Sequence, residues 1–345
     1  AYFFNQIPIK NTSLAMDWKT EWAAMRGARL EYLPVDGVRF PPWSLLPFLP
    51  LGLLPMRTGW GILAGISVCI LAASAPRTKP VSVYLLSVLL AVISFPSVRN
   101  IVDGNYEAIV VAGVLLILYG YSRESIAALV FGFLLATIKV QEVTLLLIIT
   151  ALYVVIAWPL RRWLKAGLLT AGAVGLTLLW RGRSWIVALF GANYGKYTNS
   201  IIDISISAAA KRLGIIPPAI TVILWAAIVG ITFYTAWKTR PALSRQKAGM
   251  LIAASLLVAP YAAGNSVLSV LAISLIPLLQ AEKLLGAVFI ALFNVPYLWS
   301  IDMLFSYQAY YWTAITLLAW GVLTWRCLRD ASNDASGASA NESIG

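Results

Sequence analysis

The sequence predicts an all-α, polytopic membrane protein, and three observations carry that reading. Of the 345 residues, 60% are hydrophobic and only 12% charged, with a mean hydropathy of +0.81; soluble domains carry about 25% charged residues. Apolar runs of near-spanning length recur along the whole chain. Lysines and arginines punctuate those runs instead of gathering on a polar domain. In hydrocarbon the backbone donors and acceptors must be satisfied within each segment, so the spans are helices.

The runs fall at about 58–75, 81–97, 106–121, 125–139, 141–158, 165–180, 216–237, 248–263, 266–280, 284–300 and 308–326. They make about 11 helices, or 12 if another precedes residue 1. The chain opens AYFF without a Met, and those residues suit the end of such a helix. Several runs are short, which requires tilt or close packing. Residues 1–329 are expected to form one transmembrane domain, and the small, polar tail 330–345 to be disordered and cytoplasmic.

Orientation follows from the short connections. If 58–75 runs inward, every inner connection carries a cation: Arg77 and Lys79, Arg123, Arg161 with Arg162 and Lys165, Lys238 through Lys247, Lys283, and Arg326 with Arg329. The outer connections at 140, 264–265 and 301–307 carry none. This puts the first loop, 1–57, and the long loop, 181–215, on the extracytoplasmic side, where interfacial helices and any polar site must assemble. The formal charge of +12 then reflects topology and contact with anionic lipids, with no nucleic-acid partner.

Composition also narrows the chemistry. Histidine is absent, which excludes Ser-His-Asp, Cys-His and His-ligated metal sites. Proton transfer falls to Asp, Glu, Lys or Tyr. The two cysteines, Cys69 and Cys327, lie in or beside apolar runs and build no framework. Gly-rich phosphate loops and metal-spaced Cys clusters are missing.

In the first loop, AMDWKTEW reads as an amphipathic helix. Trp18, Trp22 and Met25 repeat at i, i+4, i+7 and suit a membrane-interface face, while Asp17 and Glu21 form a neighbouring acidic stripe. The proline-broken run PPWSLLPFLPLGLLP is too interrupted for an ordinary span and is read as a helix dipping into, or lying on, the outer leaflet. Asp103 in DGNYE is placed to cap the helix that follows it, and Glu107, one turn inside an apolar run, requires a cation or a wet cavity. Lys139 ends a long apolar helix at the outer boundary, with Gln141 and Glu142 beside it, and suits either a snorkelling anchor or a phosphate ligand. In the long loop, WIVALF suits a short surface helix and NSIIDISISAAAKRLG a second one ending at Gly214.

Taken in order, these features resemble the GT-C superfamily of integral-membrane glycosyltransferases, and within it glycosyltransferase family 87, of the polyprenyl-phosphate-mannose-dependent type. The resemblance rests on DWKTEWAAMRGARLEY followed by RFPPWSLLPFLPLGLLP, then DGNYEAIVVAGVLLILYG, ATIKVQEVTLLL and LLVAPYAAGNS. The chain departs from the family pattern at four points. Asn105 stands where Gln is usual, Val140 replaces Pro, no His lies near Asn265, and Asp17 is a single acidic residue rather than one of an adjacent pair.

What the resemblance implies is a GT-C-like fold in a prokaryotic plasma membrane with an extracytoplasmic site. It would transfer mannose or another hexose or pentose from a polyprenyl-phosphate donor to a lipid, glycan or protein acceptor. Inverting transfer from a lipid phosphate needs one carboxylate base and positive charge on the leaving phosphate. Asp17 is the expected base and Glu21 the reserve. The expected substrate and phosphate ligands are Lys139, Gln141, Arg99, Asn105, Glu107, Arg181, Arg183, Lys196 and Arg212, with Lys211 beside the last. No cofactor is called for, a divalent cation being left open. A non-catalytic subunit of a larger membrane complex and a lipid or solute transporter are the alternatives; transport would favour repeated halves with broken helices, and no internal repeat is visible.

Overall fold

The fold was obtained as a computed structural model, which describes residues 14–26, 41–191, 202–214 and 216–342. In chain order the helices are α1 (Met16–Arg26), short turns over 42–52, α2 (Met56–Ser74), α3 (Val81–Ile93), α4 (Phe95–Asp103), α5 (Glu107–Ser122), α6 (Ile126–Ala136), α7 (Val140–Ala157) and α8 (Leu160–Gly191). After these come α9 (Ile206–Leu213), α10 (Pro218–Lys238), α11 (Arg245–Val258), α12 (Gly264–Ala281), α13 (Lys283–Asn294) and α14 (Ile301–Glu342). Among the described residues there is no strand, only an isolated bridge between Asp203 and Ala263. The protein is an all-α polytopic membrane protein, and each apolar run of the sequence falls on a helix.

Among the described residues, four stretches are long and apolar enough to cross a bilayer, Met56–Ser74, Ile126–Ala157, Pro218–Lys238 and Gly264–Ala281; the bent pair α3–α4 makes a fifth. Glu107–Ser122 and Lys283–Leu298 are shorter apolar helices. Contacts show that 126–157 is a hairpin and not one rod. Lys139 leaves the helical region at φ −128°, ψ 72°. Arg162, just past α7, pairs with Glu124, just ahead of α6, and Tyr121 stacks on Trp158 at 6.5 Å. An unbroken helix of 32 residues would hold its ends about 48 Å apart. The chain therefore reverses at Lys139.

Proline sets the other breaks. Pro96, near the start of α4, has no N–H to return to α3, and the pair bends by 46° there. The freed groups are satisfied locally: Ser97 Oγ donates to Ala91 O at 2.6 Å, and Phe95 N donates to Asn294 Oδ1 at 2.9 Å. In α12 a π turn, Leu271–Leu275, ends two residues before Pro277.

Two ends emerge. At one, Arg245 Nη1 donates to Ser74 O at 2.5 Å, Tyr121 donates to Pro241 O, and Arg326 and Arg329 both grip Glu282. This end gathers the cations of all the short connections from Arg77 to Arg329. At the other end Ala15 N bonds Val102 O and Ile204 N bonds Ala262 O, each at 2.8 Å. That joins α1, the 104–106 turn and the segment before α9 on one side of the bundle, with Lys139.

Helices α5 and α6 pack closely against each other through small residues. A Cβ on Gly113 would press on the backbone of Ala136, and one on Gly132 would meet the backbone of Ile117. Gly113→Ala should destabilise by about 1–3 kcal/mol through overpacking. Gly65→Ala, on a helix face with open space around it, should not. Thermal unfolding in detergent separates the two.

Two readings of the sequence change. The apolar WIVALF continues α8 and is not a separate surface helix, because no proline interrupts the chain between Leu160 and Gly191. The second helix ends as expected, at Gly214 with φ +65°. The tail from Asp330 onward continues α14 as far as Glu342.

Candidate active site

The site is built around a tight turn. Helix α4 ends in a Schellman arrangement: Asn105 N donates to Asn100 O at 2.9 Å, and Gly104 N donates to Ile101 O at 3.3 Å. Gly104 sits at φ +68°, and a side chain there would collide with Trp18. The turn aims the Asn105 side chain at α1, where its Nδ2 donates to Asp17 Oδ2 at 2.5 Å. Its Oδ1 accepts from Tyr106 N at 2.6 Å. Asp103 does not cap α5. It ends α4 and pairs back one turn with Arg99 at 2.8 Å, because the left-handed Gly104 turns the chain away from it.

Helix α1 is clamped by the protein and not by the membrane surface, which corrects the expected role of its tryptophans. Trp18 is fully buried and donates to Met56 O at 2.7 Å; Trp22 donates to Leu54 O at 2.8 Å. Trp60, from α2, donates to Ile101 O at 2.8 Å, locking α2 to the end of α4. The proline-broken stretch 42–52 also turns inward. Phe48 packs edge-on against Tyr106 at 4.9 Å, and Trp43 bonds Thr137 at 2.8 Å. The amphipathic periodicity is present as read, but its apolar face is covered by 42–60.

Asp17 is therefore half-buried at a defined position. Burial raises its pKa above the usual Asp range, while the Lys139 charge and the Asn105 hydrogen bond pull it back. Glu21, one turn on, is almost fully buried, and its Oε2 has no partner among the described residues. Burial, reinforced by the neighbouring Asp17 charge, pushes its pKa well above the carboxylate range. Of the two carboxyls, four residues apart, burial thus raises Glu21 further than Asp17.

Behind Asp17 lies a buried charge cluster. Lys139 forms ion pairs with Glu107 and, at 3.5 Å, with Glu142. Glu107 is fully buried, Glu142 1% exposed and Lys139 8% exposed. Ser266 Oγ lies 3.0 Å from Glu107 Oε1 and 2.5 Å from Glu142 Oε1. A serine hydroxyl has a single proton to donate, so Ser266 can donate to one of the two carboxyls at a time. The Lys139 ammonium, paired with both, offsets the negative charge that burial would otherwise leave uncompensated. Lys139 is engaged here and is no snorkelling anchor.

Of the other sequence candidates, Arg99 is a partly exposed cation near Asp17, its side chain 45% exposed. Gln141 is half-buried in the first turn of α7. Arg212 donates to Asp203 O at 2.6 Å and lies over the Tyr310 ring at 5.1 Å; Lys211 is exposed on the same helix. Arg181 and Arg183 lie on α8 where only the backbone is described, and Lys196 lies outside the described residues.

Sequence reasoning missed Ser266, Asp203 and the part played by Glu142. Glu142 was signalled by its i, i+3 spacing from Lys139; the other two carried no signal. Asp203 is buried and accepts from Ser205 N at 3.0 Å and Ala262 N at 3.2 Å. It ties the segment ahead of α9 to the turn that delivers Ser266. Among the described residues no group of three or more Cys, Asp or Glu side chains is placed to hold a metal ion. Two apolar cavities of about 310 Å³ each lie along the membrane helices, and neither is lined by these charged residues.

A sequence model of glycosyltransferase family 87 matches residues 39–261, more than half of the 345 residues. The chain belongs to glycosyltransferase family 87. No curated protein and no solved structure matches it. As a membrane glycosyltransferase it binds a sugar donor and an acceptor. The match contains Arg99, Asn105, Glu107, Lys139, Glu142 and Arg212. In this family 87 protein Asp17 and Glu21 stand ahead of the matched segment, and Ser266 just beyond it. All three come to the matched residues only by folding.

Proposed function

We propose that this glycosyltransferase moves a sugar, with inversion, from a polyprenyl-phosphate donor to a hydroxyl of a lipid, glycan or protein acceptor on the extracytoplasmic face. The observation that carries the reading is the Asp17 carboxylate, held by Asn105 at 2.5 Å, at the end of the bundle opposite the Lys/Arg-rich connections. Those connections mark the cytoplasmic side. A lipid-linked donor reaches such a site from the membrane, whereas a nucleotide sugar is confined to the cytoplasm.

Asp17 takes the proton of the acceptor hydroxyl as its oxygen bonds to the anomeric carbon. The bond from that carbon to the phosphate oxygen breaks, and the phosphate leaves with the electron pair. Arg99 is the cation for that phosphate, being partly exposed. Lys139 stabilises the Asp17 carboxylate from behind through its field. No second acid is required, because a phosphate monoester leaves as a stable anion.

The test is transfer by purified protein in liposomes. With radiolabelled polyprenyl-phosphate mannose, glucose and pentose as separate donors, label should pass to an acceptor from at least one. Nucleotide sugars should give none. Transfer from a nucleotide sugar would overturn the donor class; tight donor binding without any transfer would make the protein a non-catalytic member.

A further inference from the structure

We propose that the basic end of the bundle, opposite Asp17, carries a binding site for an anionic phospholipid. An acyl chain would occupy the cavity between α7 and α10, and the phosphate would sit on Lys238 and Arg240. The cavity, of about 310 Å³, is lined by Ile149, Leu152, Tyr153, Phe233, Tyr234 and Trp237. Helix α10 is the least buried of the four long apolar stretches, only 22% of its apolar part being covered by protein. Tyr234 and Trp237 are each more than half exposed. The walls therefore face hydrocarbon, and what enters must diffuse within the bilayer.

The interior is almost wholly apolar among the described residues. The Tyr153 hydroxyl is already bonded to Ala236 O and to Lys247. Lys247 is itself buried and donates to Thr239 O at 2.5 Å and to Ala242 O. What fits inside is hydrocarbon.

The mouth has the opposite character. Lys238 Nζ lies 5.8 Å from the centroid of the Tyr234 ring, and the Arg240 guanidinium lies 3.5 Å from that of Trp237. Both cations are exposed and stand over two of the cavity's own walls. Stacking fixes them at the rim while leaving their outer N–H groups free for a phosphate. Glu124, the acidic residue of the neighbouring α5–α6 connection, is occupied by Arg162. A rim of two cations above a greasy slot matches a lipid with a negative headgroup and not a zwitterionic one.

The experiment is native mass spectrometry of the full chain in mild detergent, titrated with phosphatidylglycerol or with phosphatidylcholine of the same acyl chains. Phosphatidylglycerol should be retained at least tenfold more strongly. Lys238→Gln/Arg240→Gln should abolish that preference. Leu152→Trp, which fills the slot, should lower retention of both lipids. Arg161→Gln/Lys165→Gln removes the same charge at the same end, at residues that do not line the cavity, and should leave binding at the wild-type level. Equal retention of the two lipids by wild type, or equal loss in the control pair, would reduce the rim to diffuse surface charge and overturn the site. If the rim variant fails to fold, as read by its thermal transition, the Leu152→Trp result decides: unchanged retention overturns the proposal.

Discussion

Asp17→Asn should lower transfer by about 100-fold or more while leaving donor binding in place, since it keeps the side chain's shape and removes only its basicity. Initial rates and donor titrations on the purified variant check both halves. The pH dependence supplies a second signature. A base works as the carboxylate, so the rate falls as pH drops through its pKa. Burial raises that pKa in the folded protein, so the acid limb of the wild-type profile should lie above the ordinary Asp value of about 3.9. In Asp17→Asn that limb should vanish. Glu21→Gln should cost far less, because burial disfavours the charged form of Glu21 more than that of Asp17. A full-rate Asp17→Asn enzyme would transfer the role to another carboxyl.

Lys139→Met should be the most destabilising single change at the site, by about 3–5 kcal/mol. It removes the ammonium paired with both buried carboxyls of the cluster, Glu107 and Glu142. Thermal unfolding in detergent measures the loss. Adding Glu107→Gln and Glu142→Gln should restore most of the stability, since the amides need no cation. An intact melting temperature in Lys139→Met alone would mean that the cluster is wet and open.

Several features were legible before any fold was known. The helices, the segregation of cations at alternate connections and the cap at Gly214 all follow from hydropathy, charge and local backbone preference. The amphipathic face of α1 was legible too, but not what covers it. Trp18 and Trp22 have the amphipathic chemistry that suits a membrane interface. A protein carbonyl serves an indole N–H equally well, and only the broken path of 42–56 brings such carbonyls to them. Asp103 shows the same limit. Its spacing allowed a cap on α5, yet the left-handed turn at Gly104 leaves it facing Arg99.

By itself, the sequence determined that this is an α-helical membrane protein with its acid–base chemistry confined to a few carboxyls and lysines, because those properties are set by composition and short-range periodicity. Only the tertiary structure decided which of those groups act together. Asp17 meets Asn105 across 88 residues, and Glu107 meets Ser266 across 159. Contacts at that separation leave no trace in local pattern; they exist because the hairpin at Lys139 and the turns at 104 and 264 deliver their side chains to one end of the bundle.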